Sequence, residues 1–232
     1  MKVLAIIPAR GGSKGIPGKN LKNLGGKPLL YWPIDTALKS KKIDKILVST
    51  DDEQIKAAAR LKGIEVIDRP SYLAADNSRV INTIRHVIDT LEDSEEYYDV
   101  IVLLECTSPF KDIRNIDEAI RLINEDIADS ATTFRESGVS PGRLWRVSLQ
   151  GVVPYLDGSE PFLPRQEQPK AYQLTGELYA FKTDLLKENT ESASILFGRV
   201  MPIITNTMTA IDIDSEEDFE LAELLINKYH LS

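Results

Sequence analysis

Apolar residues in this chain fall into short unbroken runs separated by longer stretches with helical spacing. The run Val3-Leu4-Ala5-Ile6-Ile7, closed by Pro8, marks a buried strand over residues 2–7. The same pattern predicts strands over 45–50, 64–67, 100–104 and 130–134, and helices over 29–39, 53–62, 78–91 and 113–124. Gly63, directly after the second helix, is a C-terminal stop signal. Strands that alternate with helices in this way predict an α/β chain whose mostly parallel sheet is covered on both faces. Ligands of such sheets sit at the carboxyl ends of the strands, so the loops that follow the strands carry the candidate chemistry.

The pattern changes after residue 136. Gly138, Pro141, Gly142, Gly151, Pro154, Pro164 and Pro169 punctuate short β-like pieces at 144–149 and 152–156. The stretch is too irregular for a core layer, yet Leu144, Trp145, Tyr155 and Phe162 make it too apolar for a disordered linker. It predicts an arm over 138–171 projecting from a single domain that spans 1–232. Such an arm either folds back on its own domain or finds a partner surface, and a homodimer is the expectation. The chain returns through a β segment at 173–181 and ends in a helix over 216–228.

Composition narrows the class. With 42% hydrophobic and 28% charged residues, the chain is neither disordered nor fibrous. The longest apolar run falls far short of the roughly 20 residues that span a bilayer, and it is too short for a secretory core. The single cysteine, Cys106, cannot form an internal disulfide, so a reducing, cytoplasmic setting is expected. A net charge of −8 disfavours nucleic acid and anionic membranes as partners. The charge is unevenly placed, however. Between Pro8 and Pro28 the chain carries Arg10, Lys14, Lys19, Lys22 and Lys27 and no acid, which is either a solvated basic loop or a pocket for a small anion.

The candidate chemistry begins in that stretch. Ala9-Arg10-Gly11-Gly12-Ser13-Lys14-Gly15-Ile16-Pro17-Gly18-Lys19-Asn20 follows the first strand, where a glycine-rich loop lets backbone N–H groups approach phosphate oxygens. It is not a Walker A loop, since Asn20 stands where the magnesium-holding Ser or Thr belongs. It also lacks the Gly-x-Gly of a dinucleotide fingerprint. Near the other end of the chain, Asp212 and Asp214 alternate in Ile211-Asp212-Ile213-Asp214. On a strand such residues face one side about 6.5–7 Å apart, close enough to share a hard cation. Two acids at a strand end are equally compatible with a solvated turn.

The glycine-rich string resembles the signature of the acylneuraminate cytidylyltransferases, and the resemblance covers nearly the whole chain. Gly26-Lys27-Pro28-Leu29, Val48-Ser49-Thr50-Asp51, and Arg69-Pro70 with Leu73-Ala74-Ala75-Asp76 are similar to the family's segments. So are Leu103-Leu104-Glu105-Cys106-Thr107-Ser108-Pro109, Arg165-Gln166-Glu167, Tyr172, Thr175-Gly176-Glu177-Leu178-Tyr179 and Ile211-Asp212-Ile213-Asp214. The resemblance implies a three-layer Rossmann-like nucleotidyltransferase fold and transfer of CMP from CTP to a nonulosonic sugar acid, with release of pyrophosphate. It implies that Ala9, Arg10, Gly11, Gly12, Ser13, Lys14, Lys19, Asn20, Arg69, Ser78 and Thr107 bind the nucleotide. Catalytic roles fall to Arg10, Lys19, Asp212 and Asp214, with Asp212 and Asp214 holding Mg²⁺. Glu105, Arg165, Gln166, Tyr172 and Tyr179 are the acceptor-binding candidates. His86 and His230 need no chemical role.

The match breaks at four positions. Glu105 stands for the family's Gln, Cys106 for Pro, Thr175 for Asn and Glu177 for Ala. Replacing Gln by Glu removes two donors, which points to an acceptor other than plain N-acetylneuraminate, one of legionaminic type among the candidates. Two rivals remain: a nucleotidyltransferase acting on a sugar 1-phosphate, and a CTP-binding regulator without turnover.

Overall fold

The computed structural model describes residues 1–206 and 210–231. Its centre is a seven-stranded sheet formed by β1 (Val3–Pro8), β4 (Lys45–Thr50), β5 (Glu65–Asp68), β6 (Val100–Leu103), β7 (Ser130–Glu136), β10 (Tyr172–Lys182) and β11 (Val200–Ile204), in the order β11-β7-β10-β6-β1-β4-β5. Neighbouring strands are parallel except around β10, which runs antiparallel to both β6 and β7. β1 is central and apolar throughout because both of its faces are covered, as the sequence run requires.

Helices cover the two faces. α1 (Tyr31–Lys39), α2 (Glu53–Leu61), α5 (Ile113–Asn124) and α7 (Glu216–Tyr229) bury Ile34, Ala59, Ile116, Ile120 and Phe219 with Ala5, Ile7 and Val102 of the sheet. On the opposite face α4 (Val80–Glu92) and the short α6 (Thr183–Glu188) bury Ile84, Val87, Ile88 and Leu186 with Leu4, Ile6, Leu103 and Phe181. The three-layer α/β expectation therefore holds. Local signals end the elements where the sequence places them. The Asp52 carboxylate accepts the N–H groups of Gln54 and Ile55 at the start of α2. Gly63, at φ 72°, closes the same helix: its N–H donates to the Arg60 carbonyl and the Ile64 N–H to the Ala59 carbonyl.

Elements not visible in the pattern are β11, α3 (Ser71–Ala74), α6, and the hairpin of β2 (Asn23–Leu24) with β3 (Lys27–Pro28). One expectation is corrected. Ile211–Asp214 forms no strand. Its backbone is held instead by the Ile213 N–H on the Thr107 carbonyl at 2.8 Å and by Lys19 Nζ on the Ile213 carbonyl at 2.6 Å. Between β7 and β10 the chain builds a separate two-stranded sheet from β8 (Trp145–Ser148) and β9 (Gly151–Pro154). Val147, Val152, Tyr155 and Phe162 of this segment are exposed. Among the described residues no helix is long and apolar enough to cross a membrane.

Candidate functional site

Chain order reverses at β1: α1 leads from β1 to β4 on one side, and the later crossover through α4 brings β6 to the other. The crevice outside the carboxyl ends of β1 and β6 is thus the switch point at which α/β sheets bind ligands. A cavity of about 480 Å³ lies there. Arg10, Lys14, Lys19 and Arg69 line it, facing Asp76, Glu105 and Asp214, with Ser13, Asn20, Ser78 and Thr107 between them.

The loop after β1 is shaped from within. Gly18, at φ 63°, turns the chain into a 3-10 turn over Lys19–Leu21 and buries Lys19 and Asn20. The Asn20 amide donates to the Arg10 carbonyl at 2.9 Å, tying the two ends of the loop together. Lys19 reaches the Asp214 carboxylate at 3.3 Å as well as the Ile213 carbonyl. Asp214 is placed by the start of α7. Ser215 and Asp218 form a capping box, and the Asp218 carboxylate also accepts the Asp214 N–H at 3.1 Å. The phosphate-loop candidates and the paired acids, distant in sequence, therefore meet.

Not every expected group faces the crevice. The Ala9 N–H donates to the Ser49 carbonyl at 3.0 Å and the Gly11 N–H to Asp51 at 3.0 Å, so both are engaged within the fold. Gly12 sits in a shallow neighbouring depression with Lys14 and Asp76. Arg165 and Gln166 lie in a different cavity, of about 540 Å³, at the base of the arm with Arg143 and Lys170. Tyr172 is half exposed on β10. Tyr179, further along β10, feels the carboxylates of Glu105 and Asp212, and burial together with those charges pushes its hydroxyl up to about 12. Sequence reading placed Gly15 and Asp76 in motif segments but gave them no site role, and it did not pick out Lys111 or Asp218. A capping pattern of Ser followed three residues later by an acid was the available signal for Asp218.

Electrostatics separate the residues further. Burial, and Arg10 nearby, lower the Arg69 guanidinium to about 10 against the pull of Asp51. Its bonds run to Ser49, which is neutral, and it stays cationic at neutral pH. Burial and the neighbouring Asp212 and Asp214 raise Glu105 to about 7, opposed by Lys111 and Lys19. Burial also raises Asp212, and Asp214 adds to this against a hydrogen bond from Thr107. Cys106 is buried and its thiol is raised to about 12, so it is inert packing and not a nucleophile.

Of the four departures from the expected motif, Glu105 lines the cavity with a carboxyl raised by burial to about 7, and two others serve the frame. Thr175 bonds Thr133 Oγ1 at 2.7 Å, and its carbonyl accepts from Ser108 at 3.1 Å. Glu177 is buried and accepts the Asp112 N–H and the Asn115 amide at the start of α5. Its charge faces buried Lys111, which is lowered to about 8 by burial and donates to the carbonyls of Glu105 and Ser108. Lys111 thereby holds the loop that carries Glu105 and Thr107.

A mostly parallel sheet with a cation-lined crevice at its switch point is the build of a nucleotide-binding α/β protein. Residues 4–228 match the cytidylyltransferase family, and the chain belongs to it. It is 32% identical over 228 residues to CMP-N,N'-diacetyllegionaminic acid synthase of Legionella pneumophila, covering 97% of both chains. To the N-acylneuraminate cytidylyltransferase of Streptococcus agalactiae serotype III it is 31% identical over 222 residues, covering 94% of this chain and 52% of that one. The chain thus spans about half the length of the N-acylneuraminate cytidylyltransferases it matches. Among solved structures, CMP:2-keto-3-deoxy-manno-octonic acid synthetase in complex with CTP superposes with a TM-score of 0.72 at 17% identity, over 99% of this chain and 100% of that one, a likeness of fold.

Proposed function

We propose that the chain transfers CMP from CTP to a nonulosonic sugar acid. The oxygen of the sugar's anomeric hydroxyl attacks the α-phosphorus, the α–β anhydride bond breaks, pyrophosphate leaves, and the hydroxyl proton passes to solvent. The observation that supports this reading is the meeting of Lys19 with Ile213 and Asp214, by which cations and the Asp214 carboxylate share one crevice. Phosphoryl transfer depends chiefly on positioning and charge neutralisation, and this lining supplies both. Arg10, Ser13, Lys14 and Lys19 hold the triphosphate, and Lys19 stabilises charge on the leaving group. Asn20, Arg69, Ser78 and Thr107 take the nucleoside.

Asp212 and Asp214 fit a magnesium ion. They would supply two oxygen donors: burial, and then the charge of Asp214, raise Asp212, and Asp214 lines the cavity, where phosphate oxygens would supply further donors. When bound, such an ion neutralises phosphate charge and acidifies the attacking hydroxyl.

The acceptor is proposed to be of legionaminic type, carrying a donor for Glu105. The arm is proposed to pair two copies of the chain, so that Arg165 and Gln166 serve the neighbouring crevice and meet the acceptor's carboxylate. The buried thiol and the absence of any second cysteine in the sequence are compatible with the cytoplasm. The deciding experiment is pyrophosphate release from CTP and Mg²⁺ with a panel of nonulosonic acids. Release that requires the sugar acid is expected. CTP binding without release for any acceptor overturns the reading.

A further inference from the structure

Arg10 and Lys14 are not free in the crevice. Asp76, on the loop between α3 (Ser71–Ala74) and α4, uses one carboxylate oxygen for each: Oδ1 lies 2.9 Å from Arg10 Nη1 and Oδ2 lies 2.9 Å from Lys14 Nζ. Arg10 also donates to the Ala74 carbonyl at 3.1 Å, at the end of α3. Lys14, with some help from Arg10, holds the Asp76 carboxyl below the usual carboxylate range. An anion with two oxygens, each on one cation, is the arrangement a phosphate group makes with such a pair. Asp76 lines both the nucleotide cavity and the depression beside it, so its carboxylate stands where the phosphate-gripping cations point.

We infer that Asp76 is a built-in competitor for the polyphosphate, setting which phosphate ligands the crevice retains. This rests on the reading of the crevice as a triphosphate site. A ligand must displace Asp76 from Arg10 and Lys14 before it gains their charge. A monophosphate exchanges two contacts for two and gains little. A triphosphate carries charge enough to take both cations and Lys19 as well. After transfer, the departing pyrophosphate loses its hold as Asp76 returns to the pair, which favours its release. The pairs are partly solvent-exposed, with side-chain exposures of 32% for Arg10, 78% for Lys14 and 46% for Asp76, so the competition is a moderate bias and not a lock.

The sign of one measurement decides between competition and positioning. Calorimetric titration of the full chain with inorganic pyrophosphate and with tripolyphosphate should show Asp76→Asn and Asp76→Ser binding about three- to tenfold more tightly than the unaltered chain. Asp76→Glu, which keeps the charge, should bind like the unaltered chain, and the preference for CTP over CMP should narrow in the two neutral variants. Equal or weaker polyphosphate binding by folded Asp76→Asn and Asp76→Ser, beside normal binding by the unaltered chain, overturns the competitor and leaves the crevice standing. Failure of the unaltered chain itself to bind either polyphosphate removes the crevice reading, and the competitor with it.

Discussion

Gly15 lies so close to the backbone of Asp214 that a Cβ on it would stand 2.0 Å from the Asp214 carbonyl oxygen. The obstacle is main chain, which cannot turn aside as a side chain can. Glycine is thus required at this point for the loop after β1 and the segment before α7 to share one crevice. Gly15→Ala should destabilise the chain by about 1–3 kcal/mol and cut turnover far more than that loss of fold explains. Gly12, with nothing within 4 Å of an added Cβ, is the control, and Gly12→Ala should leave the melting temperature unchanged. Thermal melts and the pyrophosphate assay on both variants test the difference.

Lys19 is buried against the Ile213 carbonyl and Asp214 while lining the cavity. Its removal takes a preorganised charge from the position of the leaving group, so Lys19→Met should lower kcat by on the order of 10²–10³ with a smaller change in KM for CTP. A change confined to KM would show that the lysine merely binds the nucleotide.

Glu105 faces the cavity as a carboxyl where related chains are expected to carry an amide. Glu105→Gln should shift the order of kcat/KM across a panel of nonulosonic acids toward N-acetylneuraminate. An unchanged order, or N-acetylneuraminate already foremost for the unaltered chain, would end the proposal of a legionaminic-type acceptor.

Val147 and Val152 face each other across β8 and β9, at 79% and 59% exposure. Charges there cost an isolated chain little, so Val147→Asp with Val152→Asp should keep the fold. Light scattering should show the unaltered chain as a dimer and this variant as a monomer, with activity falling in step if Arg165 serves the neighbour.

Asp129 anchors the β11 edge. It accepts the Arg199 N–H and Lys182 Nζ, both at 2.8 Å, and Lys182 first, then the Arg199 N–H, bring its carboxyl down to about 2. A carboxyl depressed in the folded chain stabilises it above the ordinary pKa near 3.8, and the stabilisation fades as pH falls toward 2. Asp129→Asn should therefore be less stable by about 1–2 kcal/mol at pH 7, with the gap closing between pH 4 and pH 2. Urea unfolding at a series of pH values reads this directly.

What the sequence made legible follows from how each element is stabilised. β1 and β6 are buried on both faces and appear as unbroken apolar runs. β11 is an edge strand, mostly exposed, and although its residues are apolar, Pro202 in the middle argues against a strand. The Ile211–Asp214 segment has a strand's alternation, but its hydrogen bonds go to Thr107 and a lysine side chain, a circumstance no local pattern encodes. The roles of Asp76 and Lys111 escaped for a related reason. A lone acid after a short helix and a lysine beside Phe110 look like surface residues until the fold brings Arg10, Lys14 and Glu177 to them.

Lys19 and Asp214 stand 195 positions apart, and their contact has a consequence for biosynthesis. As the ribosome delivers the chain, strands β1, β4 and β6 emerge first and are free to assemble, while the stretch that partners the lysine follows all three. Until that stretch docks, an emerging polypeptide has one wall of a crevice and no second. A crevice with both walls thus exists only once residue 214 has been made and has docked against Lys19.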